Sequence, residues 1–349
     1  GQGKFGEVWK ARAYGRKGEG DFILKRLFVE KGHEVHLSGL REVYFGDLLR
    51  GAPRVCRFVE SFEEKVKGKE GKETKNLWLV FYNEGLSLRH YLYEGTVQGN
   101  MVVYSQSKMW RETRASPSGA TTLRTLMRQL LEGVADCHRR NVTHRDLKPE
   151  NLIVHIPSPE EGLHQPVLLK LADFGSAVDA QSVRSLYGPD GPSLQDETLD
   201  YAPPEVLFGS GTTYSAMRPQ SYDIWSLGVI FLELVLGTSK VFQVDHRTRS
   251  VIDQKMRHSS AAVREQAYLF RAMVELCVYP PLPESELQGD SLMPARCSDQ
   301  AIQERLRTRD PQQIGFPDIQ AVKLLRRMLR WHSESRISAE RALQHAYFR

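Results

Sequence analysis

Residues 1–82 carry their apolar positions in short runs rich in β-branched and aromatic side chains, separated by glycine and charge: "GEVWKARAY", "FILKRL", "RVCRFVESFEE" and "NLWLVFY". Such runs predict strands. One interruption has another period. In "GLREVYFGDLLR" the apolar positions Leu40, Val43, Tyr44 and Leu48 recur at helical spacing, and Gly51-Ala52-Pro53 ends the run. Beyond residue 83 the period is helical, with amphipathic stretches near 121–140, 220–236, 262–278, 317–331 and 338–346. Strands first and helices after predict an α+β chain in two unequal parts: a small β-rich one with a single helix (1–82) and a larger, mainly helical one (83–349). Residues 63–76 read as a charged hairpin tip. The polar, Gly/Pro/Ser-bearing stretches 95–120 and 279–316 read as inserted surface loops.

At 349 residues the chain is long enough for a large core, and 40% hydrophobic with 26% charged residues is ordinary globular composition. Its longest apolar run, "LGVIFLELVLG", contains Glu233 and is about half the ~20 residues a membrane span needs, so it reads as a buried helix. With neither an initiator methionine nor a signal-like segment, the chain reads as a piece of a longer protein. Cys56, Cys137, Cys277 and Cys297 show no Cys-x-x-Cys or Cys/His pairing, which argues against a zinc site or disulfide framework and for a reducing compartment, cytoplasmic or nuclear. The net charge of +5 is spread along the chain, so nucleic acid is not an expected partner. Clusters such as "LLRRMLRWH" read as solvated helix faces.

Three stretches carry candidate chemistry. Gly1, Gly3, Gly6 and Val8 form a G-x-G-x-x-G-x-V run. Strand-like sequence follows it, whereas a dinucleotide-binding turn needs a helix there. Glycines on a hairpin let backbone N–H groups approach phosphate oxygens, although a plain flexible turn would read the same way. Lys25 ends the apolar run Phe22–Leu24, and Glu42 lies 17 residues on in the expected helix, a carboxylate available to tether it. Then "VTHRDLKPENLIV" packs Asp146, Lys148 and Asn151 between apolar flanks, and "DFG" follows with Asp173. Phosphoryl transfer needs a carboxylate at the acceptor hydroxyl, a cation beside the moving phosphate and oxygen ligands for Mg²⁺, and these four residues offer all of them.

The joint order of Gly-rich loop, Lys25, Glu42, "HRDLKPEN", "DFG", "YAPPE" and "DIWSLG" resembles the eukaryotic protein kinase family over essentially the whole chain, and Lys148-Pro149-Glu150 resembles its serine/threonine branch. That resemblance implies a bilobal protein-kinase-like fold, ATP and Mg²⁺ as cofactors, and a protein substrate. It implies that Asp146 orients the acceptor hydroxyl, Lys148 steadies the γ-phosphate, and Asn151 and Asp173 hold the metal. Lys25, secured by Glu42, would hold the α/β-phosphates, while Gly1, Gly3, Gly6, Val8, Ile23 and Phe81 would surround the nucleotide. Thr198 would bond Asp146 and Lys148; Glu205 with Arg336 would form a structural ion pair; Asp223 would cap the catalytic loop. Arg145 would need an anion from the activation segment, with phosphorylated Ser193 preferred over the carboxylates of Asp196 and Glu197. The chain departs from the family at Ile23, where a small alanine is usual, and at Gly46, where a bulky apolar residue normally stacks on the "DFG" phenylalanine and Phe45 is the available substitute. A silent pseudokinase scaffold is the alternative, and a small-molecule phosphotransferase is disfavoured by the long segment from Asp173 to Glu205.

Overall fold

In a computed structural model, described for residues 6–12, 21–67, 73–99, 101–155, 167–189, 191–193, 197–209, 218–280 and 297–349, the β-rich beginning and mainly helical remainder take the two-lobed α+β fold of that class. The strands are β1 (Gly6–Arg12), β2 (Asp21–Leu27), β3 (Phe58–Lys67), β4 (Glu73–Tyr82), β5 (Leu86–Ser87), β6 (Tyr93–Gln98), β7 (Met101–Gln106), β8 (Leu152–His155) and β9 (Leu168–Leu171). The helices are α1 (His33–Leu48), α2 (Leu88–Leu92), α3 (Lys108–Ala115), α4 (Gly119–Arg139), α5 (Ala180–Ser185), α6 (Pro204–Leu207), α7 (Gln220–Leu236), α8 (His246–Lys255), α9 (Ala261–Glu275), α10 (Asp299–Arg309), α11 (Ile319–Met328) and α12 (Ala339–Leu343). None, among the described residues, is long and apolar enough to cross a membrane.

Two compact units divide the contacts: residues 1–90 with 125–198, and residues 91–124 with 199–349. In the first, the antiparallel sheet has the order β1-β2-β4-β3, and a smaller one the order β5-β8-β9. Period-two alternation puts Leu27, Phe58, Leu77 and Leu79 on one face of the larger sheet, where Val35 of α1 joins them in a buried cluster. Gly46 is a packing requirement, since a Cβ there would lie 2.6 Å from the Phe58 ring. That is the physical reason the bulky residue is missing.

In the second unit α7 is the axis. Every residue from Tyr222 to Leu236 is buried, as the apolar run predicts, and Gly237 closes the helix in the left-handed conformation at φ 67°. Glu233 is tolerated inside this run because two phenols satisfy it: Tyr93 Oη donates at 2.6 Å and Tyr201 Oη at 2.7 Å.

The stretch 95–120, expected as an inserted loop, instead holds the β6–β7 hairpin and α3. Its polarity hides two anchors. Trp110 Nε1 donates to Leu234 O at 3.0 Å, and one turn on Arg114 forks onto Asp310 at 2.8 and 3.0 Å while also reaching Val235 O at 2.6 Å. Within 279–316, also expected as loop, α10 buries only Ile302 and Leu306, four residues apart, and its other positions except Ala301 are polar. The cysteine reading needs correction as well: Cys277 and Cys297, 20 residues apart, form a disulfide. Spacing alone gave no signal of it, because the intervening chain is polar and irregular in composition.

The Arg114–Asp310 pair is essentially sealed from solvent. Removing one member of such a pair strands a buried charge. Arg114→Ala is therefore expected to cost about 3–5 kcal/mol in denaturant unfolding, whereas a loss under about 1 kcal/mol, typical of an exposed pair, would contradict the packing described.

Candidate active site

Register in the larger sheet decides which side chains meet. Ile23 lies opposite Phe81, Lys25 opposite Leu79 and Leu27 opposite Leu77 on β4, while Val8 of β1 lies opposite Lys25. Opposed residues share a face, so Val8, Ile23, Lys25 and Phe81 all project to the side that carries the buried cluster and α1. The Phe81 ring meets Phe58 edge-on at 5.4 Å. Gly6 belongs to β1, where a Cβ would stand 2.3 Å from Arg26 O. Gly1 and Gly3 lie outside the described residues.

Lys25 is gripped twice. Its Nζ donates to Glu42 Oε2 at 2.7 Å and to Asp173 Oδ1 at 3.0 Å. Burial pushes the Glu42 carboxyl up to about 7, with Lys25 opposing. For Lys25 burial works to lower the pKa, but Asp173 and Glu42 outweigh it and hold the ammonium above its ordinary value. Burial likewise works to raise Asp173, yet the charge of Lys25, with Lys148 and His144 behind it, keeps that carboxyl below its usual range. Glu42 is closed off at 5% side-chain exposure, whereas Asp173 keeps 45%.

The polar stretch 142–154 runs as a loop, a short 3-10 turn and the start of β8, and its backbone is tied at both ends. Thr143 and Val178 exchange backbone hydrogen bonds at 2.8 and 2.9 Å. Arg145 and Asp173 sit in the left-handed region at φ 66° and 63°, where side chains other than glycine are strained. Asp146 is the hub between them. Its Oδ2 accepts from Lys148 Nζ at 2.6 Å and Asn151 Nδ2 at 3.0 Å, and its Oδ1 accepts from Thr198 Oγ at 2.7 Å. Lys148 also donates to Thr198 Oγ at 2.7 Å, which closes a ring. His144 accepts from Asp146 N through Nδ1 at 3.3 Å, so its Nε2 carries the proton that faces Ala172 O at 3.0 Å.

Asn151 spends its amide nitrogen twice on Asp146 and leaves its oxygen available. The bond from Ala172 N to Asn151 O sets Asp173 next to it in the chain. Among the described residues no three His, Cys, Asp or Glu side chains cluster tightly enough to hold a metal alone. One carboxylate plus one amide oxygen is the sparse set that suits Mg²⁺ completed by water and phosphate oxygens.

Arg145 meets Glu197, both side chains closed to solvent, so a carboxylate of the activation segment pairs with it; Asp196 lies outside the described residues. The Phe174 ring is flanked by His144 at 4.6 Å and by fully buried Phe45 at 6.4 Å, so Phe45 makes the contact with Phe174 while Phe58 fills the space at Gly46. Arg336 forks onto Glu205 at 2.5 and 2.7 Å, and Asp223 is fully buried within α7.

Arg41 went unnoticed in the sequence. Its fully buried guanidinium donates to Gly175 O at 2.6 Å and Leu186 O at 3.0 Å and lies 3.9 Å from the Tyr187 ring centre. Tyr44 Oη donates to Asp179 Oδ2 at 2.7 Å from the same helix. The signal was present: Leu37, Arg41 and Phe45 recur every four residues on the buried face of α1, so a cation stands where the period calls for an apolar side chain.

The sequence profile described as protein kinase domain matches residues 1–348. A probable inactive protein kinase of Arabidopsis thaliana is 33% identical over 382 residues, covering 92% of this chain and 98% of its own. Cyclin-dependent kinase B1-1 of the same plant is 28% identical over 353 residues, covering 100% of this chain and 94% of its own. With the profile spanning the fold and the Lys25, Asp146 and Asp173 sites alike, the chain belongs to the protein kinase family.

Proposed function

We propose that the chain is an active, magnesium-dependent protein kinase that transfers the γ-phosphoryl group of ATP to serine and threonine hydroxyls of a protein, with residues 1–82 as small lobe and 83–349 as large lobe. The observation that carries this reading is the closed ring of Asp146, Lys148 and Thr198 beside a Lys25 tethered by Glu42 and Asp173. Lys25 holds the α/β-phosphates. Asp146 accepts the hydroxyl proton as the acceptor oxygen bonds to phosphorus and the bond to the β-phosphate oxygen breaks. Lys148 offsets charge on the moving group. Asn151 and Asp173 hold Mg²⁺, which neutralises phosphate charge when bound. Ile23 and Phe81, bulky and opposed, keep the space around the adenine tight.

The name of the 33% identical relative favours a second reading, a silent scaffold. Against it, Lys25, Asp146, Asn151 and Asp173 are all present and engaged here. Radiolabelled transfer to a degenerate Ser/Thr/Tyr peptide library decides between the two. Expected is Mg²⁺-dependent labelling of serine and threonine, reduced by at least about a hundredfold in Asp146→Asn and Asp173→Ala, since removing one well-placed electrostatic group costs on the order of 10²–10³. No labelling by folded wild-type protein that still binds Mg²⁺–ATP would make it a scaffold.

Acid should misalign the site before it unfolds it. Because the folded Glu42 carboxyl titrates near 7, above its ordinary value, the folded state binds more protons than the unfolded one below that pH. This group's contribution to stability therefore grows as pH falls through that window and shrinks as it rises. Protonation still removes the charge that tethers Lys25. We expect kcat/KM for ATP to fall as pH drops below about 7 with no loss of folded signal, and Glu42→Gln to be poor and flat over that range; a wild-type profile flat to pH ~5 would contradict it.

Glu197 makes activity independent of phosphate on the activation segment. Phosphatase-treated protein should keep its turnover, and Glu197→Gln, which leaves the buried Arg145 charge without its carboxylate, should lose at least about tenfold. Turnover that disappears with phosphatase and survives Glu197→Gln would restore Ser193 phosphorylation as the switch.

A further inference from the structure

The second unit contains a cleft of about 710 Å³ half of whose lining residues are lysine or arginine. One wall is α11. Its apolar side, including Val322, Leu325 and Met328, is buried, and Lys323 and Arg327, with Arg330 just past its end, recur at i, i+4 and i+7 on the exposed side. The facing wall carries Arg341, in α12, and Arg349. The cleft's single carboxylate, Asp299, is taken by Arg326 at 2.5 Å. Lys323, Arg327, Arg330, Arg341 and Arg349 have no carboxylate within ion-pair distance among the described residues.

A solvated helix face, the reading from sequence, would spread its charges outward and intersperse acids. Here like charges converge on a concavity, where repulsion costs stability until an anion enters. The field is felt locally: burial, then the charges of Arg327 and Lys323, holds His345 below its ordinary pKa, with Asp318 the weaker opposing charge.

The shape of the charge selects the ligand. From Lys323 to Arg330 the charges span about 10 Å along the helix, room for a few phosphates and not for a polymer track. Arginine predominates over lysine, and its fork suits phosphate oxygens. The only aromatic ring in its lining is the imidazole of His345, which is buried, and no Phe, Tyr or Trp offers an open face on which a nucleobase would stack. Ile337 and Ala346 are its only apolar residues, too little for a greasy ligand.

We propose that this cleft binds a compact, multiply phosphorylated small molecule. Titration calorimetry with inositol hexakisphosphate at about 0.15 M salt should give one site per chain with a low-micromolar Kd. Arg327→Gln/Arg341→Gln, both exposed positions, should weaken binding at least about thirtyfold while the circular dichroism stays unchanged, and Lys255→Gln, a surface cation elsewhere, should not alter it. Absence of saturable binding, or equal binding by the double variant, would overturn the assignment. So would retention on phosphoinositide vesicles without binding of the soluble probe, which would make the cleft a membrane contact, or tighter binding of a single-stranded oligonucleotide than of the probe.

Discussion

Lys25 has to remain charged in a place where burial works against the charge, and only two carboxylates make that tolerable. Glu42 comes from α1 and Asp173 from the chain after β9, so one ammonium ties a strand, a helix and the activation segment at 2.7 and 3.0 Å. Losing either carboxylate does more than remove a contact, because the remaining charges are then unbalanced in a partly dry site. The rest of the first unit can be understood as support for that triangle. The buried cluster of Leu27, Leu77, Leu79 and Phe58 fixes the sheet under α1, and the absence of a side chain at Gly46 lets Phe58 pack close to that helix.

Arg41 gives α1 a second hold. Glu42 faces the sheet, while its neighbour Arg41 reaches Gly175 and Leu186 on the activation segment, and Tyr44 reaches Asp179. Adjacent residues on a helix point about 100° apart, so a single turn can grip both the strand and the segment. The same segment carries Glu197 to Arg145 and Thr198 to Asp146. Helix position, segment position and catalytic loop are therefore joined by charges and hydrogen bonds, and the strained backbone at Arg145 and Asp173 is held in place by those contacts.

The legible parts of the sequence were those in which local pattern and tertiary role agree. The strand runs of β1 to β4 and the helical stretches of α1, α4, α7, α9 and α11 form where the pattern places them, although β1 buries none of its residues. Helix α1 buries Val35, Leu37, Arg41, Glu42 and Phe45, while Leu40, Val43 and Tyr44 are half-buried and Leu48 is exposed. The residues read as phosphate-handling share short motifs whose order is itself informative. Illegible were elements that bury little. α3 anchors itself with Trp110 and Arg114, and α10 with Ile302 and Leu306, so polar majority outvoted two side chains in each. The Cys277–Cys297 bridge depends on a meeting that no spacing rule encodes. At Arg145 the need for an anion was readable, and among the three candidates in the segment it is Glu197 that the fold brings to the guanidinium, a choice that depends on how the segment folds and not on local sequence.

Cations are matched in both units, with one local exception. In the first, cations are matched: Lys25 by two carboxylates, Arg145 by Glu197, Arg54 by Glu132 and Gln129. In the second, Arg114 and Arg336 are matched with equal care by Asp310 and Glu205, so this part of the chain does not lack acids where structure requires them. The unmatched set on α11 and beyond it is then a local exception and not a consequence of the chain's mild net charge of +5. Exposed arginines on a helix cost little when scattered, because water and salt screen them beyond about 10 Å. Gathered within that distance around a concavity they are not screened from one another, and a fold that gives Arg114, Arg145 and Arg336 a carboxylate each leaves these to be neutralised from outside.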